Sequence, residues 1–225
     1  MSEPVNKQKI LSHVIISMCF SAKTSLITFL LGTTFSILLI KYGNPVYKKE
    51  NHVFGIMLLF ISAIQLMDLT FWLDLKNTMG LNRLATIIGP LLNVGQPTIM
   101  YLIKLAYFTP ELNYGPVMWL NILYALYLVV MYFRFITTTD KLVTTTSHGH
   151  LSWPWLKYTN PYFYLLLFAV NLFYLTNFKY SFWMFAITYL FLYLSNKWFP
   201  YNVGELWCFF GSFIPAIMLA VSYMI

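Results

Sequence analysis

Seven long, mostly apolar stretches constrain this chain more tightly than any other feature of its sequence. A helix that crosses a bilayer needs about 20 predominantly apolar residues. Stretches near 20–41, 53–74, 84–107, 116–136, 161–177, 180–197 and 202–224 meet or approach that length. Their separators carry turn and breaker residues. Tyr42-Gly43-Asn44-Pro45 ends the first stretch, Asp74 to Asn82 holds the second turn, and Phe199-Pro200 stops the sixth. Thr109-Pro110-Glu111 and Gly115-Pro116 mark the turn after the third. Thr176-Asn177-Phe178-Lys179 alone joins the fifth to the sixth, which implies a tight antiparallel hairpin. The expected fold class is therefore all-α: a polytopic integral membrane protein, with seven transmembrane helices in one bundle over 20–225. The one long connection, about 137–160, is polar and rich in threonine. Near its end Trp153-Pro154-Trp155 reads as an interfacial aromatic anchor.

Composition excludes the main competing classes. Charged residues make up 9% of the chain, against about 25% in soluble domains, so too few remain to coat a water-facing surface. The net charge of +7 is scattered through the loops, which argues against a nucleic-acid-binding face. Lysine outnumbers arginine 12 to 2, a bias of AT-rich genomes such as those of large DNA viruses or protists. With an odd number of spans the two termini lie on opposite sides. The N-terminal side collects nine of the basic residues (Lys7, Lys9, Lys23, Lys76, Arg83, Arg134, Lys141, Lys157 and Lys197) and the other side five. By the positive-inside rule the N-terminal side is cytoplasmic. Lys7 and Lys9 before the apolar run Ile10 to Phe20 mimic a signal peptide, but Phe20 stands where cleavage after Ala22 needs a small residue. Residues 1–19 are read as an interfacial lead-in to the first span.

Polar residues inside spans are candidates for function, because each charge costs about 2.5–3.5 kcal/mol at mid-helix on insertion scales. On the second span Gln65, Asp68 and Trp72 share one narrow face. Asp68 lies roughly 9 Å from the helix end, at 1.5 Å per residue, too deep for so short a side chain to reach water. On the third span Asn93, Pro97, Met100 and Lys104 form a stripe with Gln96 at its edge. Pro90 and Pro97 interrupt that helix and free carbonyls that need partners. On the seventh, Asn202, Glu205, Cys208 and Ser212 align. The first carries a small, hydroxyl-bearing stripe of Ser21, Thr24, Ser25, Thr28 and Gly32, suited to close helix packing. Cys19 and Lys23 lie on its opposite face.

Compared by depth, these residues gather in the N-terminal-side half of the bundle. Asp68 and Glu205, with Lys23 as a counter-charge, form one polar cluster. Such a cluster either locks the first, second and seventh helices together or binds a proton, a cation or a ligand head group. The opposite half holds one charge, Lys104, near its helix end and able to snorkel. A path there needs a dewetted gate or the interface of a homo-oligomer. His148 and His150 have metal-ligand spacing but lack a third ligand, so neither a metal nor a cofactor is expected. Cys19 and Cys208 are read as two reduced thiols.

Retinal proteins carry a lysine in the middle of the last helix, and the run Trp207 to Pro215 has none. Met18-Cys19-Phe20-Ser21-Ala22, an acidic residue in the second span and Leu206-Trp207-Cys208 in the last are similar to another group. The chain resembles uncharacterised small polytopic proteins of bacteria, algae and large viruses that begin Met-Cys-(Phe/Trp)-Ser-Ala. That resemblance makes residues 1–17 an extension, picks out Cys19, Asp68 and Cys208, and implies no known activity. The functional expectation is a channel or transporter for a small cation or proton. Its candidate site is Lys23, Gln65, Asp68, Asn93, Gln96 and Glu205, supported by Cys19, Trp72, Pro97, Cys208 and Ser212. The alternatives are a sensory membrane protein holding a lipid, ligand or chromophore, and, last, a thiol-dependent membrane enzyme.

Overall fold

The computed structural model describes residues 21–108, 115–147, 149–198 and 203–225. The lead-in, Cys19, His148, Asn202 and the breakers at 109–111 and 199–200 lie outside them. The described residues form nine α-helices and a two-stranded hairpin, so the all-α expectation holds. In chain order the helices are α1 (Ala22–Tyr42), α2 (Lys48–Leu73), α3 (Leu81–Val94), α4 (Gln96–Tyr107), α5 (Pro116–Thr138), α6 (Pro161–Phe173), α7 (Phe178–Trp198), α8 (Val203–Gly211) and α9 (Ile214–Met224). The strands are β1 (Thr145–Ser147) and β2 (His150–Ser152).

Length and hydropathy qualify α1, α2 and α5 to cross a membrane. The pairs α3/α4 and α8/α9 qualify as two further spans if each bent pair counts as one. The bends are 60° and 47°, and each has a chemical cause. Gly95 and Pro97 break the third span, and Pro215 follows the break in the last. Pro90 behaves differently from expectation: it lies inside α3 without ending it. The carbonyls around the Gly95 break find protein donors. Tyr124 Oη donates to the Val94 carbonyl at 2.8 Å, and Asn171 Nδ2 to the Pro97 carbonyl at 2.8 Å. α6 has 13 residues, about 20 Å at 1.5 Å per residue, short of the about 30 Å hydrocarbon core.

α2 is the hub. Buried residues make up 61% of its apolar stretch, and it packs on α1, α3, α4, α8 and α9. α1 turns Ser25, Thr28, Gly32, Ser36 and Leu39 inward, much as its small stripe predicts. A Cβ on Gly32 would stand 2.3 Å from Ser62 Oγ and 3.3 Å from the Ser212 backbone, so close approach of α1, α2 and the α8/α9 turn requires glycine there. α5 lies at the periphery, with only 17% of its apolar stretch buried, and exposes Trp119, Leu123, Val130 and Phe133. Lys104 does not snorkel: it is 0% exposed. Its ammonium donates to the carbonyls of Asn171, Leu172 and Tyr174 at the C-terminal end of α6.

The turn between α2 and α3 is built on Asp74. Its Oδ1 accepts the backbone N–H groups of Thr78 at 2.7 Å and Met79 at 3.2 Å. Its Oδ2 accepts those of Leu81 at 2.9 Å and Asn82 at 3.3 Å, capping α3. Burial alone would raise the carboxyl's pKa, but the N–H donors of Met79, Asn82, Leu81 and Thr78 outweigh it and hold it below the usual aspartate value. A depressed folded value means the stabilisation is fully present above the unfolded aspartate pKa of about 3.9. It is lost as pH falls through the lower folded value. Thermal melts of wild type and Asp74→Ala should therefore differ by a constant gap near neutral pH. That gap should close on acidification through and below the aspartate range.

Candidate functional site

The polar face of α2 points into the bundle. Gln65 Oε1 accepts the Thr28 hydroxyl at 2.7 Å, tying α2 to the small stripe of α1. Asp68, one turn further, is 1% exposed, and its Oδ1 has no hydrogen-bond partner among the described residues. Glu205 reaches the same place from the first turn of α8, where the helix dipole favours a carboxylate. It is 4% exposed. Its Oε2 accepts the Leu151 N–H at 3.2 Å and lies 3.1 Å from His150 Nδ1, while Oε1 has no partner among the described residues. Asp68 and Glu205 are close enough to repel each other, and the Cys208 thiol lies within the field of both.

The loop over 137–160 exposes Thr145–Ser147 but buries Thr144, His150, Leu151, Trp153 and Trp155. Its hairpin pairs Thr146 with Leu151 and Ser147 with His150, which presents His150 and the Leu151 N–H to Glu205. Trp153-Pro154-Trp155 is not an interfacial anchor. Both indoles are buried and stacked, with centroids 5.3 Å apart at 14°. Each lies on a glycine: a Cβ on Gly89 would be 2.5 Å from the Trp155 ring, and one on Gly204 would be 2.9 Å from Trp153. Trp155 Nε1 donates to Asn93 Oδ1 at 3.4 Å, and Trp153 lies against Asp68. The loop's other end is gripped by Asn82, which exchanges hydrogen bonds of 2.9 and 2.8 Å with the Thr144 backbone, and by Thr86, which accepts the Thr144 N–H at 3.0 Å. The segment is thus a plug seated over the two carboxylates.

No family model, curated protein or solved structure matches the chain. The site's chemistry therefore rests on its geometry.

Asp68, Glu205 and Cys208 converge under the plug, Gln65 is turned to Thr28 and Asn93 to Trp155, and Trp72 is half-buried on the same face of α2 as Asp68. Gln96 lies deeper: its Oε1 accepts the Tyr164 hydroxyl at 2.5 Å, and its Nε2 has no partner among the described residues. Pro97 contributes the helix break, and Ser212 Oγ returns to the Cys208 carbonyl of its own helix at 3.2 Å. Lys23 is exposed on α1 and stands outside the cluster. Among the described residues neither carboxylate has a lysine or arginine partner. No group of three or more His, Cys, Asp or Glu among those residues could hold a metal.

Sequence reasoning missed His150, Leu151, Trp153 and Trp155 as parts of the site. A signal for them existed on α3. Asn82, Thr86, Gly89 and Asn93 follow at i, i+4, i+7 and i+11, a polar and small stripe that receives the plug along its length. Burial lowers the His150 imidazole below its ordinary pKa and so favours the neutral ring. Its contact with Glu205 then needs one proton, carried either by Nδ1 or by the carboxyl.

Proposed function

We propose that this is a multi-span membrane protein that moves a proton or small cation, with Asp68 and Glu205 as its ion site. Seven crossings follow if α1, α2, α3/α4, α5, α6, α7 and α8/α9 each count as one, with the N-terminus on the cytoplasmic side. The observation that carries the reading is the pair of buried carboxylates with open oxygens and, among the described residues, no lysine or arginine beside them. Two like charges placed together in an apolar interior are unstable until a proton or cation joins them. A cluster that only locked helices together would be expected to carry its own counter-charge.

The test is ion flux into liposomes holding the purified full-length chain. Wild type should move a proton or an alkali cation. Asp68→Asn and Glu205→Gln should each slow it by about tenfold, the equivalent of about 1.4 kcal/mol. The reading fails if wild type moves nothing or if both variants match it. Variants that only melt at lower temperature would make the cluster a structural lock.

One observation favours a second reading, a protein that binds a lipid or apolar ligand. A groove of about 270 Å³ runs between the α3/α4 break, α6, α7 and α8, lined by Asn93, Tyr164, Leu165, Leu192 and Trp207. A lipid or chromophore that stays with the purified protein would support it.

A further inference from the structure

We infer that the ion taken by the Asp68–Glu205 site is a proton and not a metal cation, an inference that rests on the transport reading above. Metal cations need a cage of oxygens, six or more for magnesium and calcium, and rings of carbonyls serve potassium. Among the described residues, the amide and backbone oxygens nearest the helix break and the plug each already accept a hydrogen bond. Gln65 Oε1 takes the Thr28 hydroxyl, Asn93 Oδ1 takes the Trp155 indole, and the Val94 and Pro97 carbonyls take Tyr124 and Asn171. At the carboxylates themselves, Asp68 Oδ1 and Glu205 Oε1 are buried without a partner among the described residues.

The other groups around the pair are donors. The Leu151 N–H points at Glu205. The Trp153 indole N–H faces the Asp68 carboxyl, and the Trp72 indole N–H, one turn along α2 from Asp68, is buried without an acceptor among the described residues. N–H dipoles aimed at a site repel a metal cation and suit a carboxylate or a carboxylic acid. Among the described residues the titratable groups that face the pair are each other, the Cys208 thiol on α8 and His150 on the hairpin, with Tyr164 of α6 beyond Cys208. Two acids and an imidazole in contact settle their charge most simply by sharing protons.

The space beneath the site points the same way. The void next to Cys208 measures about 10 Å³ and is bordered by Gln96, Thr188, Gly211 and Ile214. Gln96 Nε2 and Thr188 Oγ1 both lack partners among the described residues. That volume suits about one water molecule, which relays a proton but cannot carry a hydrated metal ion. Further down, Asn171 pairs with Asn121 through two amide bonds of 2.9 and 2.8 Å, and its carbonyl takes the Lys104 ammonium. This polar column is made of hydrogen bonds and not of open space.

The experiment uses the full-length chain in phospholipid liposomes that contain a trapped pH dye, with sodium and potassium replaced by choline in one arm. Proton flux should persist in choline and fall about tenfold in Asp68→Asn. Sodium or potassium flux without proton flux would overturn the proton assignment while leaving the transport reading intact. Absence of any flux would sink both. An infrared titration of purified wild type guards against a variant that fails to fold. A carboxylic-acid C=O band should grow on acidification and stay unchanged on adding sodium or potassium at fixed pH. A band that collapses on adding either metal would refute the assignment.

Discussion

Replacing Trp155 by alanine is expected to destabilise the folded protein by about 3–5 kcal/mol, the range for a fully buried aromatic truncated in a packed core. Trp155 is 0% exposed. Its ring lies on Gly89, stacks on Trp153, and meets Phe71 and Phe135 at centroid distances of 6.4 and 6.5 Å. Phe71, Gly89 and Phe135 sit on α2, α3 and α5, so closing the cavity would need three helices to shift together. The Asn93 amide would also lose its indole donor. Chemical or thermal unfolding of the full-length chain in detergent measures the loss. Limited proteolysis between 137 and 160 should accelerate with it, because Trp155 holds that segment down. An indole resting in the headgroup layer would give a different result: surface substitutions stay within about 0.5 kcal/mol.

The contrast between those two outcomes shows where sequence reasoning succeeds here. The helices were legible because apolar runs of bilayer length and Gly/Pro punctuation are local signals. The bend at Gly95–Pro97 and the cap at Asp74 likewise sit within a few residues of their causes. Two polar faces were legible from helical periodicity alone, Gln65/Asp68/Trp72 and Glu205/Cys208/Ser212, and the fold turns Asp68, Glu205 and Cys208 toward one another. The plug was not legible. Its strands have three residues each, too few to show an alternating pattern. Its anchors join Asn82 to Thr144 across 62 positions. Tryptophan serves membrane interfaces and packed cores equally well, so Trp153 and Trp155 were ambiguous until Gly89 and Gly204 were seen beneath them. Lys23 failed for a related reason: periodicity placed it opposite the small stripe, and packing left that face exposed.

Lys104→Met is expected to lower stability by about 3 kcal/mol or more, since each buried acceptor left without a donor costs roughly 1–3 kcal/mol. The reason lies in the length of α6. A helix leaves its last four carbonyls without intrahelical partners, and within a bilayer there is no water to take them. α6 stops after 13 residues, at Phe173. The Lys104 ammonium carries three donors. It meets the carbonyls of Asn171, Leu172 and Tyr174 and lies 3.5 Å from the Thr176 hydroxyl. Its positive charge also faces the negative end of the helix dipole. Asn171 ties the same helix end to Asn121 on α5 and to the Pro97 carbonyl on α4, so α4, α5 and α6 share one joint. Methionine fills similar volume but brings no donor, and all three carbonyls would lose their cation at once, although the Leu172 carbonyl keeps the Thr176 hydroxyl at 2.6 Å. Hydrogen–deuterium exchange should speed up selectively over 161–177, alongside a lower melting temperature in detergent. A snorkelling lysine predicts the reverse, because methionine at a lipid-facing position would leave stability unchanged or raise it, and the exchange of α6 would not move.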